Sequence, residues 1–189
     1  MRIITGSARG RKLETLPGDD ITRPTGEKVK EAMFSMIQFD IEGRKVLEPF
    51  GGSGQLSLEA LSRGADFAVI GDADAGAAVI IKKNAQKTGL YDKTRVATTD
   101  YKNLIKSSQG REKFDIVFLD PPYASGLIPD CLDRLVRADV LSPYALVVCE
   151  SDRPEPFEHE AFEIKSFHKY GKVFVTLLCK KDDEPEAAE

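Results

Sequence analysis

A chain of 189 residues, 41% hydrophobic and 31% charged, has room for one domain with a substantial core and a small extension. Its apolar runs are only strand-length, which excludes a bilayer-spanning helix, and the opening MRIITGSARGRKL lacks the apolar stretch of a signal peptide, so a cytoplasmic protein is expected. The net charge of −4 is unevenly spread: Arg2, Arg9, Arg11 and Lys12 make the first twelve residues basic, and the acidic excess sits in a polar tail, residues 181–189, expected to be disordered.

Residues 1–24 read as an extension in which Arg2–Thr5 and Arg11–Thr15 form a hairpin around Gly6–Gly10, followed by a turn at Pro17-Gly18-Asp19-Asp20. Thr25 is the expected N-cap of a helix running to about Phe39, with Val29, Ala32, Met33, Phe34 and Ile37 on one face. Strands and helices then alternate. Strands are predicted at Lys45–Glu48, Phe67–Asp72, Thr94–Thr98, Phe114–Asp120 and Ala145–Glu150. Between them lie helices at Gln55–Arg63, Ala75–Thr88, Tyr101–Lys106 and Ile128–Ala138, with Gly64 and Gly89 ending the first two. Two last strands, near Phe162–Phe167 and Lys172–Cys179, are joined by Lys169-Tyr170-Gly171, too short for a crossover helix, and are expected as an antiparallel pair at one sheet edge. The pattern predicts a three-layer α/β/α fold over residues 25–180, with a mostly parallel seven-stranded sheet whose last strand is antiparallel. Cys131, Cys149 and Cys179 fall in apolar or helical runs without paired metal spacing, and His159 and His168 stand in no metal or triad pattern, so no metal is expected.

The first crossover, Val46-Leu47-Glu48-Pro49-Phe50-Gly51-Gly52-Ser53-Gly54, is a strand, a glycine-rich turn and a helix start. Gly51, Gly52 and Gly54 allow a ligand to approach the backbone where helix N–H groups are unsatisfied. The spacing fits the dinucleotide fingerprint badly, with Ser57 at its third position, and Glu48 directly before the turn repels a phosphate but suits a cation. A sulfonium or an α-ammonium is such a cation, which favours S-adenosylmethionine over NAD. Asp72 closes the second strand at about the offset of a ribose-binding acid, with Asp74 an alternative two residues on. Asp100 closes the third strand and is placed to accept from an adenine amine; Asp74 and Asp100 are also reasonable helix caps.

Residues 114–123, KFDIVFLDPPY, carry the most information. Ile116–Leu119 suit a buried parallel strand, and Pro121 and Pro122 stop it, since neither has an N–H for the ladder. The stiff turn holds the Asp120 carboxylate, the proline carbonyls and the Tyr123 ring at the carboxyl edge of the sheet, where open α/β sheets bind ligands. Carboxylate and carbonyls only accept hydrogen bonds, so they suit an amine donor whose flat ring stacks on Tyr123.

Asp120-Pro121-Pro122-Tyr123 resembles the catalytic motif of amino-group methyltransferases that use S-adenosylmethionine. Over about residues 1–180 the chain resembles the RsmD family of 16S ribosomal RNA (guanine-N2)-methyltransferases, which are Rossmann-like class I enzymes. The likeness rests on RIITGSARGRKL, on TRPTGEKVKEAMFSMI at 22–37, on the Phe50–Gly54 loop continuing as QLSLEALSRGA, on Asn84 and on the DPPY tetrapeptide. It implies S-adenosylmethionine held by Glu48, Phe50, Gly51, Gly52, Gly54, Asp72, Asp100 and Asp120, catalysis at Asp120, Pro121, Pro122 and Tyr123, and a basic N-terminal segment that binds 16S RNA or a small-subunit assembly particle. Arg2, Arg9, Arg11, Lys12 and Arg23 are then candidate phosphate contacts, with Arg23 equally suited to anchoring the segment or lining the cofactor pocket. A monomer is expected. Glu48-Pro49 stands where an Asp-Leu-like pair is usual, and Gly71 precedes Asp72 where an apolar residue and Glu are common. The rivals are an adenine-N6 methyltransferase, for which no stretch offers a DNA-recognition domain, and a non-catalytic assembly factor, which the intact DPPY disfavours.

Overall fold

A computed structural model describes residues 1–16, 24–122 and 125–182. The turn expected at Pro17–Asp20, Arg23, Tyr123 and most of the acidic tail lie outside them. The described chain forms α1 (Pro24–Met36), β1 (Lys45–Glu48), α2 (Gln55–Ser62), β2 (Phe67–Asp72), α3 (Ala75–Thr88), β3 (Thr94–Thr98), α4 (Tyr101–Ser108), β4 (Phe114–Leu119), α5 (Leu127–Arg137), β5 (Leu141–Ser151), β6 (Phe162–Tyr170) and β7 (Val173–Lys180), with a 3-10 turn at Tyr91–Lys93. No described helix is long and apolar enough to cross a membrane.

The sheet has seven strands in the order β3-β2-β1-β4-β5-β7-β6, and only β7 runs antiparallel to its neighbours. Each connection from β1 through β5 carries a helix, which buries both faces of the central strands. In β4, Ile116 and Phe118 face a core shared with Phe34 of α1, Leu58 of α2 and Ile81 of α3. Val117 and Leu119 face the opposite core, with Leu104 of α4 and Leu132 of α5. Helix α5 supplies that second core through Ile128, Cys131, Leu132 and Leu135, an i, i+3, i+4, i+7 stripe.

Several boundaries differ from the sequence reading, for local reasons. Helix α1 starts at Pro24, so Thr25 is inside it rather than its cap; proline suits a first helical position because its missing N–H would be unpaired there. The helix stops at Met36, and Phe39 lies beyond it, 92% exposed. Strand β5 starts four residues early because it continues through Pro143 and a left-handed Tyr144 (φ 56°), irregularities that hide its first half. Strand β6 continues through Lys169 and Tyr170, leaving a two-residue turn, Gly171-Lys172.

The N-terminal hairpin keeps a single antiparallel bridge, Arg2 to Lys12, flanked by bonds from the Ile3 N–H to the Arg11 carbonyl and from the Leu13 N–H to the Met1 carbonyl, while the backbone nearer its tip turns to α2. The N–H groups of Ile4 and Thr5 donate to Glu59 at 2.7 and 3.0 Å, that of Ala8 to the Ser62 hydroxyl, and that of Ser7 to the Ser62 carbonyl. Gly6 sits where a Cβ would fall 1.7 Å from the Ser62 carbonyl oxygen, so only glycine allows this approach. Ile3, Ala8 and Leu13 are buried in the first core. Segment and body therefore share one packed interior.

Candidate active site

The parallel strands β1, β2 and β4 present their carboxyl ends at one edge of the sheet, and a cavity of about 670 Å³ opens there. Phe50, Gly52, Asp72, Asp100, Tyr101 and Asp120 are among its walls. A smaller cavity of about 210 Å³ adjoins it beneath Met1 and Leu16, and shares Phe50, Gly52 and Asp120 with it while adding Glu48. The crossover loop, the ends of β2 and β4 and the start of α4 thus meet at one place. None of the described residues lining either cavity is basic.

Each acid has a distinct setting. Glu48 is buried, and its Oε2 accepts the Ser57 N–H at 2.9 Å. Ser57 Oγ has no partner of hydrogen-bond geometry among the described residues, yet it and the Leu56 N–H lie near enough to Glu48 to favour its charged form alongside the Ser57 N–H. Burial pushes the Glu48 carboxyl up to about 7, against the hydrogen bonds from the first turn of α2. Asp120, one residue past β4, is pushed well above the usual carboxylate range by burial first, then by the charges of Glu150 and Glu48. Both groups face the same side of the sheet, since Glu48 pairs with Ile70 in a register that sets it beside Phe118, two residues before Asp120.

Asp72 turns back on the glycine loop: one carboxylate oxygen accepts the Gly52 N–H and the other the Asp74 N–H, each at 2.8 Å. Asp74 caps α3 through the N–H groups of Gly76 and Ala77 and is absent from the cavity wall. Of the two acids weighed for the ribose, Asp72 is therefore the one that faces the cavity. Asp100 does both jobs, lining the cavity and capping α4 at Asn103. Gly71 has a packing reason: a Cβ there would lie 2.6 Å from Leu104 Cδ2, so α4 can sit against β2 only without a side chain.

Sequence reasoning missed three participants and gave Asn84 no role. Tyr101 forms an aromatic pair with Phe50, centroids 5.4 Å apart, and donates its hydroxyl to Asp130 at 2.7 Å. Burial and that carboxylate push its phenol up to about 12. Leu127 closes the same wall. Asn84, fully buried on α3, donates to the carbonyls of Glu14 and Ser53 and accepts the Glu14 N–H, tying the glycine loop to the N-terminal segment. Glu150, at the end of β5, stands beside Asp120. None of these left a local sign of its role; Glu150 is placed beside Asp120 only by the β4–β5 register.

The donor set fits S-adenosylmethionine. An aromatic and aliphatic wall suits a flat purine, Asp72 offers acceptors for two ribose hydroxyls, and the acids at Glu48 and Asp120 suit a cation. A pyrophosphate would meet these same acids without a described basic residue in compensation, which argues against a dinucleotide. Of the expected RNA contacts, Arg9, Arg11 and Lys12 are exposed and make no ion pair among the described residues, whereas Arg2 pairs with Glu27 at 3.5 Å.

The comparisons with known proteins agree with this geometry. The family model described as "Conserved hypothetical protein 95" matches residues 1–179. YlbH of Bacillus subtilis, named as a candidate rRNA methyltransferase, is 36% identical over 96% of this chain and 100% of its own length. The "Ribosomal RNA small subunit methyltransferase D" of Haemophilus influenzae is 36% identical over 82% of this chain and 81% of its own. Among solved structures, the candidate methyltransferase yhhF of Escherichia coli superposes with a TM-score of 0.84 at 32% identity, covering 96% of this chain and 98% of that one. Sheet order, glycine loop, acid-lined edge and full-length matches lead to one conclusion: the chain belongs to the RsmD family of rRNA methyltransferases.

Proposed function

We propose that this protein methylates the exocyclic N2 amine of a guanine in 16S ribosomal RNA, using S-adenosylmethionine, during small-subunit assembly. The observation that carries the reading is the acceptor-lined corner at Asp120: a half-buried carboxylate at a strand end that faces the cavity, followed by two prolines that offer carbonyls and no N–H.

When bound, S-adenosylmethionine supplies an electrophilic methyl on a positively charged sulfur. Phe50 and Tyr101 would flank its adenine, Asp72 its ribose, and Glu48 its cationic end. The protein's task is then to prepare the amine. A guanine N2 is a poor nucleophile because its lone pair is delocalised into the ring. Asp120 and the Pro121 carbonyl accept its two hydrogens, which fixes the nitrogen and frees the lone pair. Positive charge grows on that nitrogen during transfer, and an acceptor-lined, water-poor corner stabilises it more than it stabilises the ground state. The proton released afterwards passes to an Asp120 carboxylate oxygen or to water; a carboxyl with a raised proton affinity is the better acceptor. The Tyr123 ring would stack on the flipped base, a contact worth roughly 1–3 kcal/mol. Arg2, Arg9, Arg11, Lys12 and Arg23 would hold phosphates of the RNA.

Incubation with methyl-labelled S-adenosylmethionine and unmodified small-subunit RNA, or assembly intermediates, tests the reading. Label in N2-methylguanine is expected. Label in adenine would make the protein an adenine-N6 enzyme, and absence of label on every form would make it a binding factor. Asp120→Ala should lower transfer by roughly a thousandfold or more with cofactor affinity near wild type. Parallel loss of both would assign Asp120 to structure.

A further inference from the structure

Transfer to a guanine amine requires the site to choose guanine over the other amine-bearing bases, and an assignment of that choice rests on the proposed function. Strands β4 and β5 are parallel neighbours with Leu119 beside Cys149, so the next residues, Asp120 and Glu150, stand side by side at the ligand edge, about one strand spacing apart. Their side chains share a face. Phe118 and Val148, two residues earlier on each strand, both point into the first core, and strand alternation returns Asp120 and Glu150 to that same side. Glu150 also borders a cavity of about 240 Å³ across the Pro121–Pro122 turn from the main one. Its charge is the strongest charge effect on Asp120, which agrees with their adjacency.

We propose that Glu150 accepts the N1–H of the target guanine beside the N2 amine held at Asp120, so that this carboxylate pair selects guanine over adenine and cytosine. Guanine presents two neighbouring donors on its Watson–Crick edge, the N2 amine and the N1–H. Adenine and cytosine present an amine next to a ring nitrogen that is an acceptor. Against the Asp120–Glu150 pair, guanine satisfies both carboxylates. Adenine or cytosine would set a nitrogen lone pair against the Glu150 carboxylate, a repulsive contact that leaves a polar group unpaired at the ligand edge. Asp120 alone cannot make this distinction, because all three bases offer it an amine. Glu150 is thus a specificity-determining residue, and Glu48 on the far side of Asp120 is left for the cofactor's cation.

The test uses the full-length wild type, Glu150→Gln and Glu150→Ala with methyl-labelled S-adenosylmethionine and unmodified 16S RNA, followed by nucleoside analysis. Wild-type label must first appear in N2-methylguanine; label in adenine instead would refute the proposed function itself, whatever the variants do. With guanine labelled, kcat/KM for RNA should fall about tenfold in Glu150→Gln, which keeps a neutral acceptor, and roughly 100-fold in Glu150→Ala, which keeps none. Cofactor affinity should stay within about twofold of wild type in both. Variants within about threefold of wild type on RNA, a Gln variant no better than Ala, or an equal loss of cofactor affinity would each overturn the assignment.

Discussion

The protein buries carboxylates in two places and treats them oppositely. Glu59, at the centre of α2, is completely enclosed, yet its oxygens accept the Ile4 and Thr5 N–H groups and the Arg63 Nε, with the Lys30 ammonium 3.4 Å away. Lys30 is itself buried and donates to the Arg2 carbonyl at 2.6 Å; burial draws its ammonium below the usual lysine range despite Glu59. Every charge in that joint has a partner. At the ligand edge, Glu48 and Asp120 stand close together, and the cavity walls around them include no basic residue among those described. The contrast separates a structural joint from a site held in readiness: the first is neutralised by the fold, the second waits for charge brought by a ligand.

The largest expected effect lies at the joint. Glu59→Ala removes the acceptor of two backbone N–H groups and leaves Lys30 and Arg63 without their anion. Breaking one side of a buried ion pair costs about 3–5 kcal/mol, which for a chain of this size lowers Tm by roughly 10 °C. Thermal denaturation measures it, and amide exchange at residues 3–8 should accelerate alongside. A loss below about 1 kcal/mol would erase the distinction between the two carboxylate sites.

At the ligand edge the sign reverses. The Glu48 carboxyl is held at about 7 in the fold against 4.5 ordinarily, so the folded state binds a proton there that the unfolded state has released. Below pH 4.5 both states are protonated and the group has no effect; as pH rises to 7 it increasingly destabilises the fold, by on the order of 3 kcal/mol when complete. Glu48→Gln should flatten that part of the stability–pH curve and make the protein more stable than wild type at pH 8, while weakening cofactor binding. Urea denaturation at pH 5 and pH 8 decides it. By the same linkage, wild-type affinity for S-adenosylmethionine should rise with pH up to about 7, where Glu48 becomes the anion that a cation needs. A variant less stable than wild type at pH 8 would place Glu48 with the structural acids.

How far the sequence reveals these two sites depends on the range of the forces involved. The central strands were legible because the β-branched runs in β2 and β4 and the glycines after α2 and α3 act within a few residues. The DPPY turn was legible because two prolines fix their own geometry. Glu48 stood out because it ends a strand directly before the glycine loop, and Asp72 because it ends the next strand at the offset of a ribose-binding acid. The Glu59 joint was invisible: Glu59 sits mid-helix, its partners Ile4, Thr5 and Lys30 are remote in sequence, and an acid on a helix usually belongs to a solvated face. Glu150 needed the β4–β5 register, which no local pattern contains. The length of β5 was obscured by Pro143, which ordinarily argues against a strand interior.

The smallest expected effect on stability concerns the segment that the joint holds in place. Because Ile3 and Ala8 belong to the core, deleting residues 1–12 would open the interior and confound any loss of RNA binding with unfolding. Arg9, Arg11 and Lys12 project outward from the same segment without an ion pair among the described residues, so replacing all three by Ala should change stability by at most about 0.5 kcal/mol per site. If they hold phosphates, the slope of log affinity against log salt for small-subunit RNA should become shallower by roughly 2–3, about 0.7–0.9 for each phosphate no longer held. Cofactor affinity should not move, since none of the three lines either cavity. An unchanged salt slope would leave the N-terminal segment as a structural strap alone, clamped by Glu59 and Lys30 over the face that carries Glu48. Phosphate recognition would then have to come from other basic surfaces of the domain.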